Sequence, residues 1–242
     1  MIKKIDNLYA QATDKQSFSF DGQVAQVFPD MIQRSVPGYN QILQNTAKFA
    51  EHFVTDNSNC YDLGCSVGES SLDMSSGITA SNVRIIGVDN SAAMLERCHH
   101  HIDAFKHSTT IELYEGDIVD FPIENATMVV LNFTLQFIAQ PQRKALLENI
   151  YKGMKPGGVL LLSEKICFDS ALDNQLMIDL HHQFKRENGY SELEISQKRS
   201  MLENVLVPET LDDHLTRLKS IGFSRYQCWL QQYNFISMYA VK

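Results

Sequence analysis

A strand-like run, Asn59-Cys60-Tyr61-Asp62-Leu63, ends in Gly64-Cys65-Ser66-Val67-Gly68, a turn of small residues that opens a helix. Glycine at position 64 lets the backbone pass close to a ligand, and the helix start offers free N–H groups there. Asp89 stands 27 residues after Asp62 and closes a second run, Val83–Asp89, where its carboxylate can accept hydrogen bonds from both hydroxyls of a ribose. Asp117 follows a third run and is placed to meet an adenine edge; Asn132 lies at the end of a fourth. In open α/β sheets, ligands sit beyond the carboxyl ends of the strands, where strand order reverses. Four strand ends therefore converge on one crevice the size of adenosine.

Such a convergence requires a parallel sheet flanked by helices. β-type runs at Asn59–Leu63, Val83–Asp89, Thr110–Tyr114, Met128–Phe133 and Val159–Ser163 alternate with helical stretches, as that architecture demands. Met128–Phe133 is apolar enough to be buried on both faces. Lys155-Pro156-Gly157-Gly158 predicts a turn before the fifth strand. Ser91 caps a helix running to about Ala104, and Gln142–Lys152 forms another. Beyond the fifth strand, Leu172–Asn188 predicts a long amphipathic helix, Ser191 with Glu194 a capping box, and Glu209–Ile221 a further helix. Arg225–Leu230 and Asn234–Val241 predict a closing hairpin. The expected class is α/β, with a mostly parallel seven-stranded sheet, helices on both faces and an antiparallel C-terminal hairpin. Residues 1–55 read as a helical N-terminal extension serving as a lid, punctuated at Phe28-Pro29-Asp30 and Val36-Pro37-Gly38-Tyr39. Residues 56–242 read as the ligand-binding α/β domain, with a helical insertion at about 170–205.

Bulk composition narrows the function. The chain has 242 residues, 44% hydrophobic and 21% charged, an ordinary globular balance. Its 29 acidic and 21 basic residues leave a net charge of -8, the opposite of a phosphate-gripping protein, so no direct nucleic-acid binding is expected. Five cysteines without CxxC spacing indicate free thiols in a reducing compartment. The opening Met1-Ile2-Lys3-Lys4 lacks an apolar signal core, and the longest apolar stretch, Met128–Phe133, contains Asn132. No membrane span is expected, and the expected location is cytoplasmic.

Other chemistries share pieces of this pattern. The dinucleotide fingerprint fails because Ser66 stands where its second glycine would be. Gly64–Gly68 matches the G-x-S-x-G nucleophile elbow, but that elbow normally follows earlier strands, and none precedes it here. A triad would also need a late histidine, and His214 beside Asp213 reads as part of a solvated helix face. His99, His100 and His101 point in different directions along a helix and cannot converge on one ion; His181 and His182 fail likewise, so no metal is expected. Cys65 reads as a small residue near ligand, and Trp229 as packing in the hairpin. Spacing alone makes Arg199 a solvated charge beside Lys198, and leaves Tyr39 either a core aromatic or a cover over the ligand.

Asp62-Leu63-Gly64-Cys65-Ser66, Val88-Asp89-Asn90-Ser91 and Glu115-Gly116-Asp117-Ile118 resemble the class I S-adenosyl-methionine-dependent methyltransferases. Three longer segments, Val27–Tyr39, Met128–Phe137 and Phe184–Asn204, are similar to the carboxy-S-adenosyl-methionine synthase family within that superfamily, and the likeness runs from about residue 16 to the end. Ser66 replaces the loop glycine usual in methyltransferases, as it does in the synthases. The resemblance implies a Rossmann-like methyltransferase fold that takes S-adenosyl-methionine as a substrate and uses no metal. It implies contacts to that substrate from Tyr39, Gly64, Cys65, Ser66, Asp89, Asn90, Asp117, Ile118, Asn132 and Arg199, with Arg199 also the catalytic residue that holds the new carboxylate. Prephenate would supply CO2 and leave as phenylpyruvate, and hydroxide from its collapse would take a proton from the sulfonium methyl. Such chemistry needs a dry pocket and a fixed cation, which a guanidinium provides through two parallel hydrogen bonds. The product would pass to a tRNA carboxymethyltransferase acting on a wobble uridine. A homodimer is implied, and the helices after the fifth strand, whose apolar sides need covering, point the same way. The rival is a methyltransferase acting on a small molecule or on tRNA through the same crevice. Arg199 separates the two, because methyl transfer to a neutral acceptor has no use for a cation beside the sulfonium. A non-catalytic binding or scaffold protein has no need of so complete a pocket.

Overall fold

The computed structural model describes residues 4–11, 17–203 and 205–242. Met1-Ile2-Lys3 of the opening segment and Asn204 of the third family-like segment lie outside the described residues. The β-type runs form seven strands: β1 (Ser58–Leu63), β2 (Val83–Asp89), β3 (Thr110–Glu115), β4 (Ala126–Asn132), β5 (Met154–Lys165), β6 (Arg225–Gln232) and β7 (Phe235–Val241). They make one sheet in the order β3-β2-β1-β4-β5-β7-β6. β1 to β5 are parallel, and β7 runs antiparallel between β5 and β6. Strand order reverses between β1 and β4, so the crevice opens beyond their carboxyl ends.

Two-residue alternation divides the buried strands between two cores. Tyr61, Leu63, Val129 and Leu131 pack with Leu146, Leu147 and Ile150 of α5 (Gln140–Gly153) and Leu218 of α8 (Leu211–Ile221). Cys60, Met128 and Val130 pack on the other face with Ala50 of α2 (Tyr39–Phe53) and Met74 of α3 (Glu69–Gly77). Over the carboxyl ends, Val24, Val27 and Met31 of α1 (Gly22–Ser35) join Met94 of α4 (Ala92–Ala104) and Met201 of α7 (Glu192–Leu202). The helix α6 (Ala171–Glu187) links β5 to α7. Ser91 caps α4, and Ser191 with Glu194 forms the expected capping box on α7.

Four local expectations are corrected. Pro29 does not interrupt the chain but lies inside α1, where packing of Val24, Val27 and Met31 outweighs one missing backbone donor. The Lys155–Gly158 turn signal is a bulge inside β5: Met154 pairs with Ala126 and Val159 with Met128, with Gly157 at φ +81° between them. α8 begins at Leu211, capped by Thr210, because the Glu209 side chain is held by Arg143 and Arg217. His214 is not on a solvated face; it is 2% exposed, and burial together with Arg217 pushes its imidazole down to about 4, leaving it neutral.

Candidate active site

The turn after β1 is fastened to the end of β2. Gly64 and Cys65 donate their backbone N–H groups to the Val88 carbonyl at 2.8 and 3.0 Å, and Ser66 donates to Asp89 Oδ2 at 2.8 Å. Gly64 sits at φ +80°, and a Cβ there would come within 2.5 Å of the Thr134 side chain. Ser66 adopts φ +50° without being glycine, which accounts for the glycine usual at this position in related loops. Asp89 Oδ1 accepts the Ser91 N–H at 2.9 Å. Both Asp89 oxygens are therefore engaged by backbone, and a carboxylate still has acceptor capacity left for a ligand hydroxyl. Burial raises this carboxyl from its ordinary value, while the bonds from Ser91 and Ser66 pull it back.

Beneath the turn, Asp62 is buried and accepts the Ser71 hydroxyl at 2.6 Å; desolvation pushes its carboxyl up to about 6. Asn132 is clamped at both ends of its amide, donating to Ser70 Oγ and accepting from Ser163 Oγ, each at 2.8 Å. The next residue, Phe133, is left-handed at φ +59°, so the chain turns sharply out of β4 at the crevice. Asp117 Oδ1 accepts the Val119 N–H at 2.9 Å, and Ile118 beside it is buried. Tyr39 opens α2 behind the left-handed Gly38 and donates its hydroxyl to Glu69 Oε2 at 2.8 Å. Burial and Glu69 push that phenol well above its ordinary value. The Cys65 thiol turns inward to Cys98, and their hydrogen bond with burial holds it well above the ordinary thiol range, which removes it as a nucleophile.

All ten residues singled out from the sequence line a single cavity of about 660 Å³, within the size range of small-molecule sites. The hydrolase constellation is not assembled: Ser66 Oγ donates to Met94 Sδ, and His214 belongs to the Glu209 cluster on α8. His99 and His100 are exposed, whereas His101 is half-buried and bonds the Val67 carbonyl at 2.9 Å. Trp229 packs against Phe49.

Sequence reasoning missed the opposite end of the cavity. There Lys165, His181, His182, Lys185 and Lys198 stand with Arg199. Two signals could have found them. Lys165 ends β5, where the strand-end rule applies as it does to β1–β4, and His181 with Lys185 has the spacing of one helix face. Lys198 is buried, while Arg199 is exposed at the cavity's rim. Aromatic side chains including Phe20 and Phe137, edge to face at 5.4 Å, supply apolar surface between the acidic and basic ends.

A methyltransferase-domain family profile matches residues 61–158. Proteins called carboxy-S-adenosyl-L-methionine synthase from Colwellia psychrerythraea and Pseudoalteromonas translucida are 54% and 55% identical to this chain, over 98% of its length and 98% of theirs. Among solved structures, the magnesium protoporphyrin IX methyltransferase of Synechocystis, determined with bound SAH, superposes with a TM-score of 0.60 at 14% identity. The match covers 88% of this chain and 87% of that one, a likeness of fold. Among the described residues, no helix is long and apolar enough to cross a membrane.

Proposed function

The chain belongs to the carboxy-S-adenosyl-L-methionine synthase family, and from that premise we propose that it converts S-adenosyl-methionine and prephenate to carboxy-S-adenosyl-methionine, phenylpyruvate and water. The observation that carries this reading is the make-up of this cavity, which brings the Asp89 and Asp117 carboxylates together with a cluster of cations, Lys165, Lys185, Lys198 and Arg199. Asp89 takes the ribose hydroxyls, Asp117 and Ile118 the adenine, and Tyr39, Gly64, Cys65, Ser66, Asn90 and Asn132 the rest of S-adenosyl-methionine. The pre-formed carboxylate of Asp89, held at both oxygens by backbone, supports that fit. S-adenosyl-methionine, as a substrate, brings a methyl group made acidic by its sulfonium.

In the overall balance prephenate loses its ring carboxylate and its hydroxyl. A methyl C–H bond is replaced by a bond to the carboxylate carbon, and the displaced proton leaves in water. No protein base is required. The chain's own tasks are to exclude water, which the aromatic surface does, and to meet the new carboxylate with a cation, which is the role of Arg199. Residues 1–55 act as the cover of the α/β unit formed by residues 56–242. The protein acts as a cytoplasmic homodimer, and its product supplies a tRNA carboxymethyltransferase that modifies a wobble uridine.

Mass analysis of the nucleoside formed from S-adenosyl-methionine, with and without prephenate, tests this directly. A product heavier by one CO2, formed only with prephenate, is expected. Recovery of unmodified S-adenosyl-methionine, or of its demethylated form when an acceptor is present, would give the site to methyl transfer instead.

A further inference from the structure

The six basic or imidazole side chains at the cation end differ in what they bind. Lys198 is already neutralised: its ammonium meets the buried Asp6 carboxylate and the Tyr190 hydroxyl. His181 bonds the Ser35 carbonyl through Nε2 at 2.8 Å and lies edge-on to Phe235; burial pushes its imidazole well below the ordinary value, so it is uncharged. Burial and nearby cations lower His182 as well. Lys165, Lys185 and Arg199 remain, and none has an ion-pair partner among the described residues. Glu203, one turn beyond Arg199, is exposed and makes no ion pair with either lysine.

Lys185 is the informative one. Lys185 is 7% exposed, and burial together with the charges of Lys198 and Lys165 lowers its ammonium to about 7, against a smaller opposing pull from Asp6, whose carboxylate is already paired with Lys198. Lys165 is lowered too, by burial and by Arg199. Removing an ammonium from water without a counter-charge is costly, and placing a second one within its field raises the cost. A cavity that carries both has its missing charge supplied by what it binds.

We propose that Lys185 and Lys165 form a carboxylate clamp that holds the 2-oxo-carboxylate the CO2 donor keeps, leaving the carboxylate it loses against apolar surface. This rests on prephenate being the donor. Loss of CO2 drains charge from the departing carboxylate, so an ion pair to that group stabilises the ground state and slows the step. The retained carboxylate keeps its charge throughout and can be paired at no such cost. Arg199, on a different helix, is then left for the carboxylate that appears in the product.

The test has two independent arms. In the first, titration calorimetry measures phenylpyruvate binding to the full protein loaded with S-adenosyl-homocysteine. Lys185→Met and Lys165→Met each weaken phenylpyruvate by about tenfold or more, the loss of one charged hydrogen bond, while S-adenosyl-homocysteine binds as before. That last measurement also shows that the variants are folded. In the second, steady-state formation of carboxy-S-adenosyl-methionine shows KM for prephenate rising in both variants and KM for S-adenosyl-methionine holding. Unchanged phenylpyruvate binding, or equal losses for both ligands, overturns the clamp. If the parent protein makes no product from prephenate, the donor reading fails and the clamp with it, whereas product formation with unchanged phenylpyruvate binding in the variants overturns the clamp alone.

Discussion

Asp89 accepts the backbone N–H of Ser66 at 2.8 Å, so the carboxylate ending β2 also fixes the turn that follows β1. The same group both shapes the ligand loop and faces the cavity.

On the proposed assignment, Asp89→Ala removes two charge-assisted hydrogen bonds to the ribose, each of about 1.5–3 kcal/mol, and binding of S-adenosyl-homocysteine is expected to weaken by at least roughly a hundredfold. Calorimetry measures this. A variant binding as tightly as the parent would take Asp89 out of the ribose site.

Neighbouring left-handed residues in that turn respond in opposite senses. Gly64→Ala adds backbone strain of about 1–2 kcal/mol and a collision with Thr134 of about 1–3 kcal/mol, offset by about 0.5–1 kcal/mol of unfolded-state entropy, so urea unfolding is expected to show a loss of about 1–4.5 kcal/mol. Ser66→Gly relieves the strain at φ +50° while adding unfolded-state entropy of about 0.5–1 kcal/mol, for a net change between zero and about 1 kcal/mol of stabilisation. Equal destabilisation by the two substitutions would contradict this account.

Arg199→Ala is expected to cut carboxylation by about a hundredfold or more, the usual cost of deleting one pre-positioned donor, with S-adenosyl-methionine still bound. Mixing it with Asp89→Ala protein adds a second readout. Activity recovered in the mixture means Arg199 serves the neighbouring subunit's cavity, whereas no recovery places it in its own.

Glu164 is fully buried on β5, with Oε1 accepting the Leu135 N–H at 3.0 Å and Oε2 unpartnered. Burial pushes its carboxyl up from 4.5 to about 8. Between those values the folded chain binds more protons at this site than the unfolded one, so this group's share of stability is whole at low pH and falls as pH rises toward 8. Glu164→Gln keeps the Leu135 bond and is expected to flatten that fall. Urea midpoints from pH 5 to 8 for both proteins check it, and parallel profiles would refute it.

Strand positions were legible because β4 and β5 carry uninterrupted apolar runs, Met128–Leu131 and Val159–Leu162, a signal that survives any tertiary context. That the candidate residues would meet in one cavity was legible for a related reason: most of them occupy strand ends, whose place relative to the sheet follows from topology. The basic end was not. Lys185 and Lys198 are single polar positions on α6 and α7, whose placement is set by packing, whereas Lys165 at the end of β5 was open to the same strand-end rule. His214 was misjudged because Asp213 beside it suggested water, whereas Thr210 engages that carboxylate in the helix cap and the imidazole turns inward. Pro29 and the bulge at 155–158 show tertiary packing and strand pairing overruling strong local breakers.

The pair formed by Lys198 and Asp6 spans 192 positions of the chain. Closing so large a loop is entropically unfavourable until the intervening sheet already brings the two segments near each other. The wall carrying the cations is thus a late-closing part of the fold, and a chain whose sheet has formed without that closure lacks the cation cluster of the cavity.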